Sequence, residues 1–127
     1  MKSRNLAAVA AMAVVMGLAS NVALAESDQE MIERGAAHFR IFCVNCHGMN
    51  ADGKGPLAKI LKIQPADLTT LKQTMPEGMT VQERVFRAVD GRHKVGEGQE
   101  RNMPVFTDNL KFNTVIEISR FVEAIQK

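Results

Sequence analysis

Cys43-Val44-Asn45-Cys46-His47 constrains this chain more than any other stretch. Two thiols two residues apart, followed at once by a histidine, form the pattern for covalent haem attachment. The spacing has a physical reason. The cysteines add across the two vinyl groups on one edge of a porphyrin and form two thioethers. The next residue is then carried beneath the macrocycle, where its imidazole binds the iron as proximal ligand. A bare C-x-x-C also occurs as a thioredoxin-like redox pair or as half of a zinc site. A redox pair usually sits at a strand–helix junction, and no convincing strand pattern is present. A four-ligand zinc site needs two more ligands, and the chain has no cysteine beyond these two.

At 127 residues the chain is of single-domain size. A covalent cofactor adds apolar volume to a core of that size. With no tryptophan or tyrosine, six phenylalanines supply the aromatic packing. The first 25 residues read separately. Lys2 and Arg4 precede an uncharged apolar run from Leu6 to Ala19, and Ala23-Leu24-Ala25 offers a small-residue cleavage site before Glu26. That order is a secretory signal peptide. An uncleaved membrane anchor needs about twenty apolar residues, and Ser20 and Asn21 interrupt the run first. The expectation is a cleaved signal over 1–25 and a domain over 26–127, delivered to the periplasm without a stable membrane anchor.

Export usually turns a cysteine pair into a disulfide, so a structural bridge is a rival reading. A bridge across two residues closes a tiny loop and leaves His47 unexplained. The net charge of +2 includes Lys2 and Arg4; without them the basic count falls from 16 to 14, against 14 acids. With no basic block standing out, nucleic acid is not indicated as a partner.

Along the remaining chain the periodicity is helical throughout. Ser27 and Glu30 form a capping box ahead of an apolar stripe at Ile32, Gly35, Ala36, Phe39 and Phe42. Three glycines and a proline make Gly48 to Pro56 a loop. Leu57 to Lys62 and Pro65 to Leu71 read as short turns. A second capping box, Thr80 and Glu83, opens a helix with Val81, Val85, Phe86 and Val89 on one face and Gly91 as its stop. Arg92 to Asn102 is polar loop. A last helix runs from Thr114 to Gln126, capped by Asn113 or by the Thr114/Glu117 pair, with Val115, Ile118, Phe121, Val122 and Ile125 as its stripe.

Taken together, these residues resemble a class I cytochrome c of the small bacterial monohaem kind, over about residues 28 to 127. The attachment motif is Cys43, Cys46 and His47, followed by Gly55-Pro56, by Met103-Pro104, and by a C-terminal helix carrying Phe121. The resemblance implies an all-α cytochrome c fold of four to five short helices around one covalently attached haem. Its N- and C-terminal helices cross at Gly35 and Phe39 against Phe121. It implies that the Pro56 carbonyl accepts a hydrogen bond from the proximal imidazole, and that Met103 is the distal iron ligand opposite His47. Phenylalanine at 121 lacks the polar tip that tyrosine or tryptophan commonly supplies there.

Met75, followed by Pro76, and Met79 compete with Met103 as ligands or line the haem pocket as fillers. His93 offers bis-histidine ligation or is an exposed loop residue, and His38 reads as surface. Arg92, Lys94, Arg101 and Asn102 are candidate propionate donors. The function implied is a periplasmic carrier of single electrons on one haem c iron per chain. It is an electron carrier and not an enzyme, a monomer meeting redox-protein donors and acceptors transiently, with Val44 and Met49 on the docking face. Two alternatives stand beside it: a dedicated cytochrome subunit of a periplasmic dehydrogenase or oxidase complex, and a haem-free thiol–disulfide oxidoreductase using Cys43 and Cys46.

Overall fold

A glycine sets the closest approach of two helices in this protein. A computed structural model describes residues 27–96, 100–101, 103–106 and 108–127. The expected signal peptide lies outside the described residues. Residues 31–127 form one unit, described here by itself. Within it the helix over residues 27–42 (α1) meets the C-terminal helix at Gly35. A Cβ built on Gly35 would overlap the carbonyl oxygen of Glu117 and lie 3.0 Å from the Cβ of Phe121. One turn on, the rings of Phe39 and Phe121 pack with centroids 5.2 Å apart. Phe39 is fully buried, so the expected crossing residues are in contact. Charge closes the same junction: Glu117 accepts from Arg34 Nε at 2.8 Å and pairs with His38 Nε2 at 3.1 Å. His38, read as a surface residue, is therefore engaged between the helices.

The order continues with α2 (Val44–His47), a 3-10 turn at Ala58–Ile60, another at Leu68–Thr70, α3 (Leu71–Thr74), α4 (Val81–Val89) and α5 (Phe112–Ala124). No strand occurs among the described residues, which are all-α. Ser27 already lies within the helical run, so it is not the residue ahead of it. The second capping box forms in part as expected, with Thr80 Oγ1 accepting from Glu83 N at 3.1 Å. Gly91, at φ 86°, follows the C-cap Asp90. The last helix starts earlier than the capping residues suggested. Lys111 is its N-cap, without a side-chain cap, and Asn113 and Thr114 sit inside the first turn. Burial of Val115 and Ile118 holds that turn in place of a cap.

α4 packs against α5, and Val81, Val85 and Val89 join Val115, Ile118 and Val122 in the core with Leu71 and Leu110. The chain end fastens the short elements before them. Gln126 Nε2 donates to Leu68 O at 2.6 Å, its Oε1 accepts from Lys72 N at 3.0 Å, and Lys127 N donates to Thr69 O at 2.9 Å. No helix among the described residues is long and apolar enough to cross a membrane.

Gly35→Val puts a branched side chain into the Glu117 carbonyl. The expected cost is about 3 kcal/mol, the upper part of the range for overpacked cores, read as a lowered urea midpoint. An unchanged midpoint would show that α1 and α5 do not meet at this residue.

Candidate functional site

Four residues make a helix too short to stand alone, so the carbonyls of α2 need partners from elsewhere. They find them in the loop that follows. Gly48 N donates to Val44 O at 2.8 Å, Leu57 N to Asn45 O at 2.9 Å, Gly55 N to Cys46 O at 3.0 Å and Gly53 N to His47 O at 2.9 Å. At its other end α2 continues from α1, with Cys43 N donating to Phe39 O at 2.9 Å and His47 N to Cys43 O at 2.9 Å. The Cys43–His47 stretch is thus fixed at every peptide.

A second loop is locked onto the first at Gly53. This residue has φ 78°, and a Cβ there would overlap the carbonyl oxygen of Pro65. Gln64 Nε2 donates to Gly53 O, and Leu68 N donates to Ala51 O at 2.7 Å. Asp67 caps the following turn by accepting from Thr69 N at 2.9 Å and Thr69 Oγ1 at 2.6 Å. Those bonds from Thr69 hold its carboxyl below the usual carboxylate range. The outcome is a carbonyl beside the histidine: His47 Nδ1 lies 3.0 Å from Ala66 O.

This corrects the expectation for Pro56. Its neighbours Gly55 and Leu57 give their amides to α2, and Pro56 itself is exposed. The segment opened by Pro65 supplies the carbonyl. Two prolines follow the motif within twenty residues, and spacing did not separate them.

Cys43, Cys46, His47 and Met103 line one cavity of about 210 Å³. One water needs only about 10–15 Å³, so this is no packing defect. Its other walls are chiefly apolar, among them Phe39, Leu71, Val85, Ile118 and Val122. Of the five methionines from Met31 onward, Met103 alone lines it. Met75 and Met79 line a separate depression with Pro76, Gly78 and Glu123, and Met49 is 68% exposed. Both cysteines are free thiols. Burial, with Cys46 beside it, pushes the Cys43 thiol up to about 12. A protonated thiol is a poor nucleophile for disulfide exchange. Burial also lowers His47, against the opposing bond to Ala66, and Arg84 adds to the lowering. A neutral imidazole whose Nδ1 proton is given to a carbonyl offers Nε2 to a metal.

The cationic side chains of the cavity were only partly legible. Arg101 lines it, as does Arg84, which sequence reading missed. Arg92 instead pairs with Asp90 at 2.6 Å on the surface, Lys94 is exposed, and Asn102 lies outside the described residues. Arg84 sits beside the Val81/Val85/Val89 stripe with no acid three or four residues away, whereas Arg87 has Glu83 at 2.7 Å. That missing partner was the available signal. Burial, then Arg101, lowers Arg84. His93 is not an exposed loop residue but part of the cavity wall. Arg84 Nη2 donates to its Nε2 at 2.9 Å, which leaves the His93 proton on Nδ1. Burial, Arg84 and Arg101 all lower His93.

Among the described residues, no group of three or more His, Cys, Asp or Glu is placed to hold a metal ion by itself. The donor set suits a metal that arrives inside a large apolar ligand: two free thiols for covalent bonds, one neutral imidazole and one thioether, all on the walls of one cavity. No family model, curated protein or solved structure matches the chain.

Gly53→Ala should push the Pro65–Ala66 peptides away from His47 and destabilise the protein by about 2 kcal/mol, because a left-handed position then carries a Cβ. Long-range nitrogen–proton NMR of the diamagnetic protein should show His47 wholly Nδ1-protonated in the parent and mixed in the variant. An unaltered tautomer would mean that Gly53 does not set the Ala66 bond.

Proposed function

We propose that the chain is a periplasmic electron-transfer protein of the cytochrome c kind, holding one covalently bound haem c. The observation that carries this reading is the meeting of Cys43, Cys46, His47 and Met103 on the walls of a single apolar cavity. Cys43 and Cys46 would hold the porphyrin by two thioethers, with His47 Nε2 and the Met103 sulfur as iron ligands. When bound, such a haem takes up and releases one electron at its iron, and the soft neutral thioether favours the ferrous form.

The chain's own residues serve that role in distinct ways. Ala66 O fixes the His47 tautomer and strengthens the imidazole as a donor. Phe39, Leu71, Val85, Ile118 and Val122 would give the haem an apolar surround, whose low dielectric strengthens the electrostatics within it. Arg84, on the cavity wall and bonded to His93 Nε2, would meet the propionates. With His47 and Met103 both serving as iron ligands, no open position would be left for a substrate, which fits a carrier and not a catalyst. Val44, the first residue of α2, and the largely exposed Met49, two residues past its end, would form the transient docking face for redox proteins.

The test is the visible spectrum of the purified protein, oxidised and dithionite-reduced. The reading expects a sharp reduced α-band and the weak red charge-transfer band of methionine-ligated ferric haem. Met103→Ala should keep the first, lose the second and gain carbon monoxide binding in the ferrous form. A colourless folded protein that reduces disulfides would replace this reading with thiol exchange at Cys43 and Cys46.

A further inference from the structure

We propose that Arg101 is the positioning residue for Met103, holding the methionine to the cavity wall through backbone carbonyls and not through charge. The inference rests on the reading of Met103 as an axial ligand. Arg101 Nε donates to Met103 O at 2.7 Å. Its Nη2 donates to Pro104 O at 3.3 Å and to Ala88 O, and its Nη1 to His93 O at 3.4 Å. One guanidinium therefore spans the methionine peptide, its neighbour, the loop at His93 and the last turn of α4.

Arginine is suited to this because its five donors sit in a rigid planar fork. Its Nε, Nη1 and Nη2 donate to carbonyls, and the ion pairs among the described residues leave Arg101 out. The anchorage answers a need of the chain. Between the end of α4 at Val89 and the start of α5 at Phe112 no described residue is helical. A connection that long has no ladder of its own to fix Met103. Two backbone ties flank the methionine at a distance: His93 N donates to Arg87 O at 2.7 Å before it, and Phe106 N to Val89 O at 2.9 Å beyond it. A ligand that occupies its position for only a fraction of the time binds more weakly by that fraction. Fixing the Met103 backbone thus sets how completely its sulfur fills the iron's distal position.

The experiment compares Arg101→Lys and Arg101→Gln in the full purified protein, with Val115→Ala as a destabilised control outside the cavity. Lysine keeps the charge but cannot span four carbonyls. Both Arg101 variants should lose the methionine charge-transfer band by about tenfold and admit carbon monoxide. Hydrogen exchange at the Phe106 amide should rise about tenfold as well. Val115→Ala should keep the band. A full band in Arg101→Lys would assign Arg101 to charge alone, and an equal loss in Val115→Ala would assign the effect to general loosening; either overturns the proposal. If the parent itself lacks the band, the ligand reading of Met103 fails. Unchanged exchange at Phe106 would then defeat the anchoring claim as well, and faster exchange would uphold the anchor on its own.

Discussion

Leu71, Val85, Val89, Ile118 and Val122 belong at once to the hydrophobic core and to the walls of a cavity. The rest of the structure follows from that double role. Side chains facing a gap lose their dispersion partners on one side. In the proposed reading a haem bonded there would supply those partners and so act as a structural member as much as a cofactor. After α1, helices of four to thirteen residues are the length expected when elements pack onto such a centre and not onto one another alone.

Around that centre the fold is assembled in layers that each fix the next. The loop after His47 caps every carbonyl of α2, Gly53 locks a second loop onto the first, and the C-terminal residues fasten Leu68 to Lys72 behind it. The Ala66 carbonyl reaches His47 at the end of this sequence of contacts, 3.0 Å from Nδ1. The opposite part of the site depends on fewer ties. Met103 lies on a connection with no helical residue among those described, and it is held through the Arg101 guanidinium with the His93 and Phe106 amides on either side. His47 and Met103, the two proposed iron ligands, thus differ in how they are secured: one by a dense backbone network, one by a side-chain staple.

What the sequence made legible was local or periodic. The Val81/Val85/Val89 stripe, the Thr80 cap, Gly91 as a stop and the Gly35/Phe39/Phe121 crossing all follow from helical spacing. So does the absence of a strand pattern. Three features of the site were not legible, for physical reasons. The carbonyl beside His47 is chosen by the steric lock of Gly53 on Pro65, a contact between two loops that spacing does not encode. Arg84 reads as an ordinary helix surface residue unless its lack of an acidic partner is noticed. His93 resembles a loop histidine until α4 and the 101–106 segment are folded around it. The early start of α5 has the same origin, because burial of Val115 and Ile118 stabilises a first turn with no capping side chain.

The central claim is that the cavity belongs to a group bonded to Cys43 and Cys46. The most direct measurement is the intact mass of the protein, secreted from a haem-attaching bacterial host and unfolded before analysis. The account predicts the polypeptide plus one haem, with the increment surviving denaturation and vanishing when both cysteines are replaced by alanine. A mass equal to the polypeptide alone, or a haem that separates on unfolding, would contradict it.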